Sequence, residues 1–190
     1  REIRAALQAQ AFEVRALAVA DAELRSSGVV ELVHGLLGPS GPSRWLVTLD
    51  LERNAVSEVG CVALGFLLEG GRCPLRALFL AWNDIGLAGA TQLLAPLAQA
   101  AKEGRSPLAS LDLSWNGIGS VRGPSATAGT TERARAAAQS AVAAADDDEN
   151  ACDEAVRLLA RVIREHKALL HLNLSANKCS TGDVAALATA

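Results

Sequence analysis

The sequence predicts an α/β solenoid, with a curved parallel sheet on its concave side and helices on its convex side. One pattern, Leu-x-x-Leu-x-Leu-x-x-Asn, recurs at residues 46–54, 75–83, 108–116 and 169–177. A degenerate copy comes first, at residues 14–22. A recurring unit of roughly 30 residues is the signature of stacked repeat architectures. We therefore expect one domain of about five repeats over residues 1–190.

The repeated pattern itself predicts a short strand followed by a turn. Its last two leucines alternate as in a strand, so both point to the buried face while the residue between them points outward. The asparagine ends the extended run, and its side-chain amide is able to bond the backbone of the turn. Stacked copies are expected to form a ladder of such bonds.

Amphipathic stretches between the predicted strands indicate helices. Apolar residues recur with helical spacing over residues 28–37, 60–68 and 89–97, and a further helix is expected over 152–166. Each unit is then strand, turn and helix. Such a unit buries its apolar face only against its neighbours.

The interval between the last two complete copies is nearly twice the usual period, and we place the surplus at residues 120–150, within the fourth repeat. The segment begins with Gly, Pro and Ser, continues with an alanine-rich stretch and ends in the acidic run 146–149. That run is expected to cap the helix over 152–166; alternatively, residues 132–166 form one long helix. Two interpretations of the insertion stay open: a low-complexity excursion without a role, or an arm that reaches a neighbouring subunit.

The pattern and the period together resemble leucine-rich repeats of the ribonuclease-inhibitor type, which NOD-like receptors and Ran GTPase-activating proteins share. Units of this length leave room for a full helix on the convex side. The "LDLSWN" strands and alanine-rich helices also resemble leucine-rich repeats of ciliary and flagellar proteins. The resemblance covers residues 14–190 and implies a binding module rather than a catalyst. The lack of an initiator methionine suggests a segment of a longer chain.

Composition argues against several classes of partner. The net charge is −3 with scattered Lys and Arg, so no electrostatic footprint for nucleic acid is present. Charges interrupt every apolar stretch before it reaches the length of a membrane span. The three histidines, His34, His166 and His171, lack metal-ligand spacing. No cofactor, metal or small-molecule substrate is expected.

The cysteines favour a cytoplasmic location. No Cys-x-x-Cys pair occurs, and each of the four stands alone in the sequence: Cys61, Cys73, Cys152 and Cys179. They are expected to be small buried hydrophobes in a reducing compartment.

Aromatic and charged side chains near the concave rim form the candidate binding surface. Outward strand positions should align in columns, which would place Asp50, Phe79 and Asp112 in one row and Glu52 nearby. Arg53, Trp82 and Trp115 immediately precede the asparagine positions and should be neighbours. Aromatic and Arg side chains often anchor protein interfaces. The alternative is that the tryptophans merely shield the turns. The carboxylates could meet a basic partner or simply be solvated.

No nucleophile, base or phosphate-binding loop is evident in the sequence. The leading hypothesis is therefore a non-enzymatic protein–protein interaction scaffold within a larger intracellular assembly, with other subunits as partners. The resemblance to ciliary proteins suggests a subunit of a cilium or flagellum. The alternative, also implied by resemblance, is a regulator of a small GTPase, of the GTPase-activating type.

Overall fold

Parallel strands and helices alternate along the chain in a computed structural model. The structure describes residues 13–38, 41–69, 73–119, 145–177, 179 and 187–188. Over residues 145–153 only the backbone is described. One parallel sheet holds five strands in sequence order. The strands are β1 (Ala16–Ala18), β2 (Thr48–Asp50), β3 (Ala77–Phe79), β4 (Ser110–Asp112) and β5 (His171–Asn173). The predicted α/β leucine-rich-repeat solenoid is confirmed.

Helices connect successive strands and pack on one another in chain order. They are α1 (Arg25–Leu37), α2 (Glu58–Glu69), α3 (Gly86–Lys102) and α4 (Ala145–Glu165), with a 3-10 helix over Pro42–Trp45. The helices predicted from residues 28, 60 and 89 are confirmed, and α3 extends further in both directions. Gly65 allows the close approach of α2 and α3, because a Cβ there would lie 2.9 Å from the Pro96 side chain.

The start of α4 differs from the prediction. The helix begins at Ala145, so the acidic run 146–149 lies inside its first turns and does not cap a helix starting at 152. Alanine favours the helix, and carboxylates are favourable within a first turn. The acidic run is therefore part of the helix and does not lie before its start. Residues 120–144 of the insertion lie outside the described part of the chain, and the role of the insertion stays a prediction.

Aligned leucines form the core. The register pairs Leu17, Leu49, Leu78, Leu111 and Leu172 across the five strands. The three inner leucines are at most 1% exposed, whereas those on the edge strands are half-buried. Each repeat therefore depends on both neighbours for full burial.

The predicted asparagine ladder is present. The Asn83 side chain donates to the carbonyls of Leu51, Leu80 and Ala81 and accepts from the amides of Asn54 and Val56. Other rungs follow the same plan, each bonding backbone groups of its own and a neighbouring repeat.

One rung of the ladder is incomplete. Asn116 donates to Leu80, Leu113 and Ser114, but its buried Oδ1 has no partner within the described residues. The asparagine side chains thus link each turn to the neighbouring turn, although the Asn116 side chain donates hydrogen bonds without accepting one among the described residues.

Candidate functional site

The two tryptophans occupy an unusual backbone position at the end of their strands. Trp82 and Trp115 have φ angles of 58° and 57°, and Arg53 and Ala176 adopt the same left-handed conformation in adjacent repeats. This conformation costs an L-residue with a Cβ about 1–2 kcal/mol. A bulky ring at such a position is an outlier that calls for a compensating interaction or a function.

The tryptophan rings stack on each other. Their centroids are 4.1 Å apart and their planes differ by 8°. The Arg53 guanidinium carbon lies 5.3 Å from the centroid of the Trp82 ring, within the range of a cation–π contact. Despite these contacts, the side chains of Trp82 and Trp115 remain 47% and 51% exposed. The stack is therefore a rigid aromatic surface open to solvent.

The far face of Trp115 lacks a stacking partner in the described residues. The next repeat supplies Ala176 at the equivalent position, and a methyl group cannot cover an indole ring. Among the described residues the row consists of Arg53 and the two rings, so that an aromatic or planar group from outside this part of the chain can extend it.

Carboxylates lie on the concave face beside the stack. The strand register aligns Asp50 with Phe79 and Phe79 with Asp112. Glu52 follows β2 by two residues, and its backbone amide donates to Asp50 Oδ1 at 3.0 Å. Burial raises the pKa of Glu52, and the charges of Asp50 and Asp112 raise it further. The three carboxyl groups therefore share one electrostatic environment.

Asp112 is held in place by neutral donors. Its Oδ1 accepts from the Ser114 amide and hydroxyl at 2.9 and 2.7 Å, and its Oδ2 accepts from Asn173 Nδ2 at 2.9 Å. These bonds fix the carboxylate without neutralising it. A recess of about 460 Å³ lies next to it, lined also by Phe79, Leu170 and His171.

A second exposed apolar surface lies on the convex side, where the sequence pattern predicts no binding surface. Val59, Val62 and Phe66 of α2 are 61%, 38% and 62% exposed. With apolar residues of α1 they line a groove of about 1030 Å³. Their spacing of three and four residues could have indicated a second apolar face. In the sequence, however, it cannot be distinguished from the buried apolar face of the same helix.

Cys61 and Cys73 are buried, as predicted. Burial raises the pKa of Cys61 to about 12 and that of Cys73 to about 11. Cys73 Sγ donates a weak bond to the Leu46 carbonyl at 3.5 Å. Cys179 is half-buried, and the side chain of Cys152 lies outside the described residues. Neither Cys61 nor Cys73 offers a reactive thiolate at neutral pH.

Metal-binding clusters and membrane-spanning helices are both absent from the part of the chain that the structure describes. No group of three or more His, Cys, Asp or Glu side chains there is arranged to hold a metal ion. No helix among the described residues has the length and apolar character needed to cross a membrane.

Comparisons with known proteins agree with this architecture. The family described as "Leucine Rich repeat" matches residues 43–65, 73–94 and 106–121. Among solved structures 37 chains match, including that of "Leiomodin-1 Actin-Binding Site 2". That match has a TM-score of 0.58 and 14% identity, and covers 99% of this chain and 84% of the other. No curated protein matches significantly. The three matched segments are leucine-rich repeats, and such repeats support a role in protein interaction.

The residues predicted for the binding surface lie where the alignment of outward strand positions predicts. Trp82, Trp115 and Arg53 form one stack, and the predicted adjacency of the two rings is confirmed. Asp50, Phe79 and Asp112 form the neighbouring row. Their role in binding stays a prediction.

Proposed function

We propose that this chain is a non-enzymatic scaffold that binds a partner protein through the concave rim formed by Trp82 and Trp115, within a larger intracellular assembly. The observation that carries the proposal is the stacked ring pair, half-exposed on a backbone that disfavours bulky side chains. Rigid aromatic side chains contribute large contact area at little entropic cost when they bind.

Packing alone is a weaker explanation for the pair. A ring that served only to shield the turn would bury most of its surface, yet about half of each tryptophan side chain faces solvent. The asparagines behind them are already 5% and 3% exposed and bonded to backbone groups. The ladder thus supports each turn from within, and the outer ring surface is left for another molecule.

The setting of the proposed scaffold rests on less direct support. The buried thiols of Cys61 and Cys73 fit a reducing compartment such as the cytoplasm. A place in a cilium or flagellum, and the alternative of small-GTPase regulation, rest on sequence resemblance alone. Because the similar leiomodin-1 structure is that of an actin-binding site, actin is the first named protein to test.

A capture experiment with a matched control tests the proposal. The complete 190-residue chain is immobilised, exposed to native extract and, separately, to purified actin, and the recovered proteins are identified. The test variant is Trp82→Ala with Trp115→Ala. The control is Trp45→Ala, because Trp45 is 39% exposed and has Arg44 5.9 Å from its ring, but lies away from the stack. Circular dichroism establishes that each variant is folded.

The expected result is a protein recovered by the wild type and by Trp45→Ala but lost from the double variant. With that protein purified, the double variant should bind at least about tenfold more weakly, as for loss of a central aromatic anchor. Equal affinity of the folded double variant contradicts the proposal. Recovery of a small GTPase whose GTP hydrolysis this chain accelerates would favour the alternative, and a deletion of residues 120–144 tests the insertion.

A further inference from the structure

The concave strand face carries carboxylates without matching cations. Its outward positions include Asp50, Glu52 and Asp112, and the described strands place no lysine or arginine among them. We propose that this face binds an arginine-bearing segment of the partner protein, with the guanidinium between Asp50 and Asp112 over the Phe79 ring. The inference rests on the proposed function, since it names the chemistry of the partner that the tryptophan pair anchors.

The strand register provides the geometry for such a contact. Adjacent strands lie about 4.8 Å apart, so Asp50 and Asp112 stand roughly 10 Å from each other with Phe79 between them. A cation centred above the ring is then within reach of a carboxylate on either side. Ala77 and Ala81 flank Phe79 along its strand, and their small side chains leave the approach open.

The carboxylates are oriented but not neutralised. Neutral donors hold Asp112 and one oxygen of Asp50. The Glu52 carboxylate has no hydrogen bond or salt bridge within the part of the chain that the structure describes. Arg53, the nearest described cation, lies over the Trp82 ring and lowers the pKa of Glu52 less than burial, Asp50 and Asp112 together raise it. An incoming cation would relieve this repulsion.

Arginine suits the surface better than other cations. Its planar guanidinium stacks on aromatic faces and bonds carboxylates in a bidentate manner, whereas lysine offers a point charge. The recess beside Phe79 and Asp112 leaves room for a long side chain and has Leu170, 77% exposed, as an apolar wall for its methylene groups. A metal ion fits less well, because no suitable ligand cluster exists among the described residues.

A peptide titration tests the inference. The probe is an acetylated, amidated peptide that alternates arginine with serine, and the control peptide replaces arginine by citrulline, which keeps the planar shape but removes the charge. Binding to the complete chain is followed by tryptophan fluorescence. The test variant is Asp50→Asn with Glu52→Gln. The control, Glu58→Gln with Glu69→Gln, changes the net charge equally at exposed positions of the convex helix α2.

The arginine peptide should bind the wild type and the convex control alike. Binding should weaken by about tenfold in the Asp50→Asn, Glu52→Gln variant and by a similar factor for the citrulline peptide, as for loss of close charge pairs. No binding of the arginine peptide, equal binding of both peptides or equal binding of both double variants overturns the inference.

The capture experiment, repeated with both double variants, distinguishes the two proposals. If the partner is lost from the tryptophan double variant but retained by the Asp50→Asn, Glu52→Gln variant, the anchor role stands and the arginine inference fails. If the charge variant loses the partner and the tryptophan variant keeps it, the arginine inference stands and the anchor role fails.

Discussion

Trp82 and Asn83 are adjacent in the chain, as are Trp115 and Asn116, yet the two members of each pair meet opposite environments. The asparagines are buried and bond the backbone of two repeats, whereas the tryptophans are half-exposed, stack on each other and have Arg53 over the Trp82 ring. Each strand end therefore carries a buried side chain that supports the turn next to a side chain that is open to solvent. Substitutions on the two sides of that bond should have different consequences.

The largest effect on stability is expected from Asn83→Ala. The substitution removes three donated and two accepted hydrogen bonds from a buried site, at about 1 kcal/mol each, or roughly 5 kcal/mol of unfolding free energy. Urea unfolding measures the loss. Asn116→Ala is the matched comparison and should cost less, because Asn116 Oδ1 has no partner in the described residues. Equal costs would show that the accepted bonds contribute nothing.

Leu111→Ala should cost roughly 2–5 kcal/mol, because the side chain is 1% exposed and its removal leaves a cavity between neighbouring repeats. Leu170→Ala is the control, since that leucine is 77% exposed and its loss should change the unfolding free energy by less than about 0.5 kcal/mol. A neutral Leu111→Ala variant in chemical denaturation would refute the strand register.

The backbone at Trp82 predicts a smaller effect with an unusual sign. Because φ is 58° there, Trp82→Gly should be more stable than Trp82→Ala by about 1 kcal/mol, although glycine is normally the more costly residue. Trp45 provides the reverse case. It lies in a 3-10 helix without a positive φ, so Trp45→Gly should be the less stable of its pair in thermal unfolding. The same order at both sites would rule out the left-handed turn.

An effect of similar size concerns His166, which links the residues before β5 to the loop before β4. Its Nδ1 accepts from the Leu169 amide at 3.1 Å, and its Nε2 lies 2.8 Å from Ser106 Oγ. Burial lowers the pKa of His166 from its ordinary 6.5. The stabilisation is therefore fully present above pH 6.5 and is lost as the pH falls through the lowered value.

Unfolding free energies measured across this range should show a loss of about 1 kcal/mol, the worth of one buried hydrogen bond. His166→Asn should remove the pH-dependent part. The exposed His171, changed to Asn, serves as the control and should leave the pH dependence intact. A wild-type profile that matches the His166→Asn profile would contradict the assigned protonation state.

Much of the fold follows from the repeat pattern. Because one residue in each repeat fixes the register of the others, the columns containing Asp50, Phe79 and Asp112 were predictable, as was the proximity of Trp82 and Trp115. The start of α4 was not, since residues 146–149 are compatible both with a cap and with the first turns of a helix. The exposed Phe66 was also missed, because the spacing of apolar residues does not indicate which stripe faces the neighbouring helix.

Residue spacing was sufficient to specify the repeated strand and turn, the buried leucines and the asparagine ladder, because these depend on contacts that are copied from unit to unit. Packing between repeats decided how the units meet: the parallel stacking of Trp82 on Trp115, and the unpartnered Oδ1 of Asn116 among the described residues. These features depend on side-chain contacts and backbone angles at each junction, which the spacing of leucines leaves undetermined.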